Sequence, residues 1–214
     1  MPDGMTESPG RDHSAEELPP EILTRRLILR AFRMDDAPRV RALAGEREIA
    51  ANTTNIPHPY EDGLAEVWIG SLAERRLRGQ AVGFAVELRG DLDAGSDDTL
   101  RPGELVGAVG LELDQENRQA ELGYWIGKPY WGRGLATEAA RAVLRYGFEK
   151  LCLNRIHAHY FAHNASSGRV LEKIGMVREG CRREHVRKWG RFVDVVLYGV
   201  LADEYGSAEP AAGG

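Results

Sequence analysis

The chain is poor in the features that mark several large protein classes. Cysteine is nearly absent: Cys152 and Cys181 are the two in 214 residues, with no CxxC and no paired framework. That excludes a disulfide scaffold and a cysteine-rich metal site, and it fits a reducing compartment. Cys152, within the apolar run Leu151-Cys152-Leu153, reads as a small core residue. No stretch approaches the roughly 18 consecutive apolar residues of a membrane span. The opening MPDGMTESPGRDHSAEELPPE lacks the basic and apolar regions of a signal peptide. The protein is therefore expected to be soluble and cytoplasmic, with no membrane partner. Excess positive charge is lacking too. A net charge of −5 at pH 7 argues against nucleic acid as a partner.

What is present suits one globular domain. Hydrophobic residues make up 43% and charged residues 29%, enough apolar material for a sizeable core. Residues 1–20 and 206–214 are rich in small and polar side chains and read as disordered tails around a domain at 21–205. Leu27–Phe32 alternates as a strand. Asp35-Asp36-Ala37-Pro38 then opens a helix reaching Leu43 or Ala44, with the aspartates as caps and Pro38 in the first turn. Two prolines make 52–60 a loop. From about Asp62 to Arg78, Leu64, Val67, Trp68, Leu72 and Leu77 fall mostly on one face of a helix. Strands follow at 81–88, 105–113 and 119–126, a helix at 135–151, a strand at 155–161, a helix at 166–174 and a last strand at 193–201. The order β-α-α-β-β-β-α-β-α-β predicts a mixed α/β (α+β) layer fold with helices on a central sheet. It is not a repeat array and not a regular Rossmann alternation.

Two clusters invite a metal reading and do not sustain it. Asp91, Asp93, Asp97 and Asp98 lack the spacing and terminal Glu of a calcium loop, so a solvated hairpin loop is the better reading. His157, His159 and His163 lack a cysteine or carboxylate partner and an HExxH frame; they read as cleft or sheet-surface histidines. No metal is expected.

The most informative stretch is Trp131-Gly132-Arg133-Gly134-Leu135-Ala136-Thr137, between a broken strand and the most amphipathic helix. The first turn of a helix has unpaired N–H groups and partial positive charge, so it suits a pyrophosphate. Gly132 and Gly134 permit close backbone approach, and Arg133 adds charge at the mouth. A glycine-rich turn that merely starts a helix is the plain alternative. The pattern is neither GxGxxG nor a P-loop.

The run ELGYWIGKPYWGRGLATEAARAVLRYGF, followed by NRIHAHYFAHNASSGRVLEKIGM, resembles the GNAT N-acetyltransferase superfamily, and most closely its RimJ/RimL-like branch. The opening Thr24–Arg30 and the closing Asp194–Tyr198 are similar to that branch as well, so the resemblance spans about Thr24 to Leu201. It implies a mixed, mostly antiparallel sheet whose central strands splay into a cofactor cleft, with helices on both faces. It implies acetyl-CoA as the donor, a primary amine as the acceptor partner, and a monomer or homodimer. The amides of Gly132, Gly134, Ala136 and Thr137, with Leu135 between them, would hold the pyrophosphate. Trp131 stands where the wider family has Gln or Arg, so one side-chain contact to the cofactor is expected to be lost. The strand at Tyr124, Trp125 and Ile126 would pair with the pantetheine arm.

The resemblance also assigns chemistry. Glu121 becomes the candidate general base, with a proton affinity raised by partial burial. Glu112, Glu66 and Glu61 are the alternative carboxylates. A strand residue facing solvent or paired with an arginine is the structural alternative. Asn164 fits a helix cap on sequence alone, and by resemblance contacts the cofactor arm. The position of the family's usual tyrosine is Leu171 here, which leaves protonation of the thiolate by Ser167, or its direct release, as the choices; a plain helix-surface residue is the alternative for Ser167. Pro59, Tyr60 and Trp68 would border the acceptor. The competing reading is a non-catalytic acyl-CoA sensor that keeps the phosphate turn and needs no base.

Overall fold

The computed structural model describes residues 18–90 and 101–208. The expected tails up to residue 17 and from 209, and the aspartates of the 91–100 segment, lie outside the described residues. Eight strands form one sheet in the order β1-β2-β3-β4-β5-β6-β8-β7. They are β1 (Ile22–Leu23), β2 (Leu27–Arg30), β3 (Ala81–Leu88), β4 (Leu105–Asp114), β5 (Gln119–Ile126), β6 (Arg155–Phe161), β7 (Val177–Lys188) and β8 (Arg191–Leu201). Every neighbour pair is antiparallel except β5 and β6. The helices are α1 (Ala37–Ala44), α2 (Arg47–Ala51), α3 (Leu64–Leu77), α4 (Leu135–Glu149), α5 (Ala165–Lys173) and α6 (Ala202–Ala208). The fold is the expected mixed α/β sheet with helices on both faces. Among the described residues no helix is long and apolar enough to cross a membrane.

The core follows from the period of the strands and of α4. On β5, Ala120, Leu122 and Ile126 are buried, as are Val143 and Leu144 of α4. A Cβ on Gly147 would meet Ile156 Cδ1 at 2.6 Å, so only glycine lets α4 lie this close to the sheet. On the opposite face α3 packs over β3, where Leu72 sits 3.2 Å from the Cβ position of Gly83.

Four local expectations change. Strand β7 lacks an apolar alternation; as an edge strand it is exposed along nearly its whole length, and charged side chains suit that place. Asp36 precedes α1 without capping it. Its carboxylate instead accepts from the two terminal guanidinium nitrogens of buried Arg30 and from the Arg33 amide, at 2.8 Å each. Cys152 is exposed, not core. It has a left-handed φ of 52° in the bend between α4 and β6, and Leu153 beside it takes the buried position. Finally, the core contact of α3 is made by Ala65 and Ile69, while Leu64, Val67 and Leu77 are exposed.

Candidate active site

The site begins where the sheet comes apart. Parallel pairing of β5 with β6 runs from Gln119↔Arg155 through Ala120↔Ile156 and ends at Glu121↔His157. Both strands continue, β5 to Ile126 and β6 to Phe161. Beyond Glu121 the edge of β5 therefore faces a gap instead of a neighbour. The gap opens into a cleft of about 1120 Å³.

One wall has the features that suit an anion. Gly132 and Gly134 sit at φ 77° and 75°, where a side chain would be strained. Gly134 caps α4 without any side-chain hydrogen bond to the first-turn amides. The one acidic side chain of that turn, Glu138, is occupied elsewhere. It accepts from the Thr24 hydroxyl, the Arg26 amide and the Arg26 guanidinium, each at 2.7 Å. Burial pushes the Glu138 carboxyl up, and these donors outweigh it, so its pKa lies below the ordinary value. Arg26 also donates to the Arg133 carbonyl at 2.9 Å, tying the turn to the start of β2. Trp131 gains a role that sequence alone did not reveal: its indole N–H donates to the Ile126 carbonyl at 2.5 Å, pinning the turn to the end of β5. Trp131, Gly132 and Gly134 through Thr137 line the cleft; Arg133 is not on its wall.

The free edge of β5 supplies Trp125 and Ile126 to the same wall, and α5 supplies Asn164 and Ser167. Asn164 caps α5, its side-chain oxygen accepting the Ser167 amide at 3.3 Å. The Ser167 hydroxyl lies 2.7 Å from the Tyr124 hydroxyl. Burial drives the Tyr124 phenol up to about 12, with the Ser167 hydrogen bond opposing. Leu171 is buried in the core and carries no polar function. Tyr124 is thus the phenol nearest the expected acid, on β5 and not on α5. These amides and hydroxyls fit a pantetheine-pyrophosphate ligand, for the turn leaves donors unsatisfied and the split leaves a strand edge unpaired.

At the fork stands Glu121, half-buried, its Oε1 3.1 Å from Nδ1 of His159. That hydrogen bond, outweighing desolvation, holds the Glu121 carboxyl below its ordinary range. The expected rise in proton affinity is therefore reversed. Burial depresses the neighbouring His157. A carboxylate on Nδ1 leaves Nε2 of a neutral imidazole as the basic nitrogen. The sequence pointed to Glu121 but not to its partner. The alternation of His157 and His159 on β6 was the available sign, and only the strand register places one of them on Glu121.

The remaining wall is the one expected to border the acceptor. Tyr60 and Trp68 line it, with Ile56 and Pro57; Pro59 lies off the wall. Glu112 also lines the cleft but is paired with Arg75, and Glu66 and Glu61 do not reach it. Among the described residues no cluster of His, Cys, Asp or Glu could hold a metal ion.

Known proteins resemble this chain in sequence and fold. The sequence profile of the acetyltransferase (GNAT) domain matches residues 26–177. The uncharacterized N-acetyltransferase p20 of Bacillus licheniformis is 32% identical over 186 residues, covering 86% of this chain and 97% of that protein. The putative ribosomal N-acetyltransferase YdaF of Bacillus subtilis is 40% identical over 116 residues, 54% of this chain and 63% of its own length. Among solved structures, the spermidine N-acetyltransferase of Vibrio cholerae in complex with CoA and spermine is 25% identical, with a TM-score of 0.70 over 85% of this chain and 99% of that one. The chain belongs to the GNAT acetyltransferase family and is an acetyl-CoA-dependent N-acetyltransferase.

Proposed function

We propose that the protein transfers the acetyl group directly to a primary amine while donor and acceptor share the cleft, with Glu121 and His159 handling the proton on the acceptor side and Ser167 that on the donor side. The observation that carries this reading is the fork at Glu121↔His157. A single opening in the sheet is bounded by the anion-holding turn, by a carboxylate–imidazole pair and by a hydroxyl pair.

Bound acetyl-CoA supplies a thioester carbonyl. The amine must arrive deprotonated to attack it. Glu121 stays ionised at neutral pH, because its pKa is lowered, and holds His159 by Nδ1. His159 then receives the ammonium proton at Nε2. A new C–N bond forms, the C–S bond breaks, and the sulfur leaves as thiolate. Ser167, oriented by Tyr124, donates a proton to that sulfur and regains one from solvent. A thiol is far more acidic than an alcohol, so the leaving group needs less help than the amine. The acceptor is a protein N-terminus or a small-molecule amine.

The test is thiol release from acetyl-CoA over an amine panel, with mass detection of the acetylated product. Glu121→Ala and His159→Ala should each lower turnover about 100-fold or more, within the range expected for a positioned base. Tight acetyl-CoA binding with no turnover on any amine would instead favour a sensor that only binds acyl-CoA.

A further inference from the structure

We infer that the acceptor is a primary amine carrying a bulky apolar group next to the nitrogen, and not a polyamine. This rests on the acetyltransferase reading and names the acceptor class for the same cleft. Leu64, Val67, Trp68 and Leu72 recur at the spacing that normally faces a core. Here Ala65 and Ile69 are the fully buried residues of α3, Trp68 and Leu72 rest against the core with one side and line the cleft with the other, and Leu64 and Val67 line the cleft exposed, Val67 at 71%. Exposed apolar surface gathered on one wall of a cavity marks a binding face.

The details of that wall agree. Trp68 is held edge-on against Phe32, with ring centroids 4.8 Å apart. The polar side chain within the stripe, Ser71, donates to the Trp68 carbonyl at 2.7 Å and so offers the cleft no free donor. Among the described residues that line the cleft, the carboxylates are Glu112 and Glu121. Glu112 is paired with Arg75 and Glu121 with His159. A polyamine brings several ammonium groups, and each one removed from water requires a counter-charge. This cleft has a proton acceptor for one amine at the fork and an apolar wall for what is attached to it.

The experiment compares kcat/KM at fixed acetyl-CoA for four acceptors: a peptide beginning with Phe, the same peptide beginning with Gly, an arylalkylamine, and spermidine. The apolar acceptors should exceed the Gly peptide and spermidine by about tenfold to a hundredfold, the usual discrimination of an apolar pocket. The Phe peptide against the arylalkylamine distinguishes a peptide from a small molecule as the source of the group. Val67→Glu places a carboxylate on the exposed stripe. It should raise KM for the apolar acceptors about tenfold, lower it for spermidine and leave KM for acetyl-CoA unchanged. Because Val67 is outside the core, an unaltered melting temperature will show that the variant folds. Spermidine or the Gly peptide as the best acceptor, or KM values for the apolar acceptors and spermidine that do not move in Val67→Glu, overturns the inference while leaving the enzyme reading intact. Failure of all four acceptors, with acetyl-CoA still protecting the protein against heat, overturns the enzyme reading and the inference together.

Discussion

At the scale of single residues, the two hydrogen-bonded pairs should behave differently under mutation. Ser167→Ala removes a proton donor from a sulfur that already leaves readily. Its kcat should fall about tenfold, at the weak end of what acid–base groups contribute. Tyr124→Phe should fall less, since the phenol acts through Ser167. The double variant should lose little beyond Ser167→Ala alone, because residues in contact are not additive. Steady-state thiol release on the three variants checks this; full additivity would mean the hydroxyls act independently. Tyr124 also carries a pH signature. Its phenol is pushed up to about 12 in the folded protein, against about 10 in an unfolded chain. The folded state therefore holds this proton more tightly. The associated stability is complete below pH 10 and is lost as the pH rises toward 12. Melting curves between pH 9 and 12 should steepen in the wild type relative to Tyr124→Phe, which has nothing to titrate there.

At the scale of elements, Glu138 joins α4 to the start of the sheet. Its donors hold the carboxyl below the ordinary value despite burial, so the stability it adds exists above about pH 4.3 and disappears as the pH falls through its lowered folded value. Glu138→Gln leaves the Arg26 guanidinium without its counter-charge. The pair is partly solvent-exposed, so the loss should be about 1–2 kcal/mol, or roughly 3–6 °C in melting temperature at this chain length. Acetyl-CoA affinity should weaken several-fold as well, since Arg26 also fixes the Arg133 carbonyl in the anion-holding turn. Calorimetry of both proteins with and without acetyl-CoA, from pH 7 down to about pH 2, would read the two effects together; a stability difference that stays the same over the whole range would contradict the linkage.

These elements also show what the sequence made legible. Strands β5 and β6 and helix α4 could be read because each buries one face more than the other, which imposes a period on its residues, and β3 and β4 because they are buried on both faces and so form near-continuous apolar runs. Strand β7 could not, since an edge strand with both faces wet has no reason to alternate. The stripe on α3 was visible, but its direction was not. Periodicity reports that one face is apolar, and a cleft wall satisfies that as well as a core does. The turn at 131–137 was legible because glycine and a helix start are local features. The pairs Glu121–His159 and Tyr124–Ser167 join residues distant along the chain, and only strand register and the placement of α5 bring them together.

At the scale of the whole molecule, the sheet is continuous between its two halves only through the short β5–β6 register ending at Glu121↔His157. On one side stand β1 to β5 with α3; on the other stand β6 to β8 with α5. A ligand that pairs with the edge at Leu122–Ile126, seats its phosphates on the turn and meets Asn164 and Ser167 would bridge both halves. Such a ligand binds the folded state alone. At a hundredfold excess over its Kd it should add about 2.7 kcal/mol of stability, or roughly 5–10 °C in melting temperature. ATP, which can place phosphates on the turn but has no arm to pair with β5, should add far less. Hydrogen exchange locates the effect. With acetyl-CoA the amides of Leu122–Ile126 and of Gly132–Thr137 should slow together, whereas ATP should slow only the second group. Protection confined to the turn with both ligands would show that the split edge of β5 takes no part in holding the donor, and the two halves of the sheet would then need another brace.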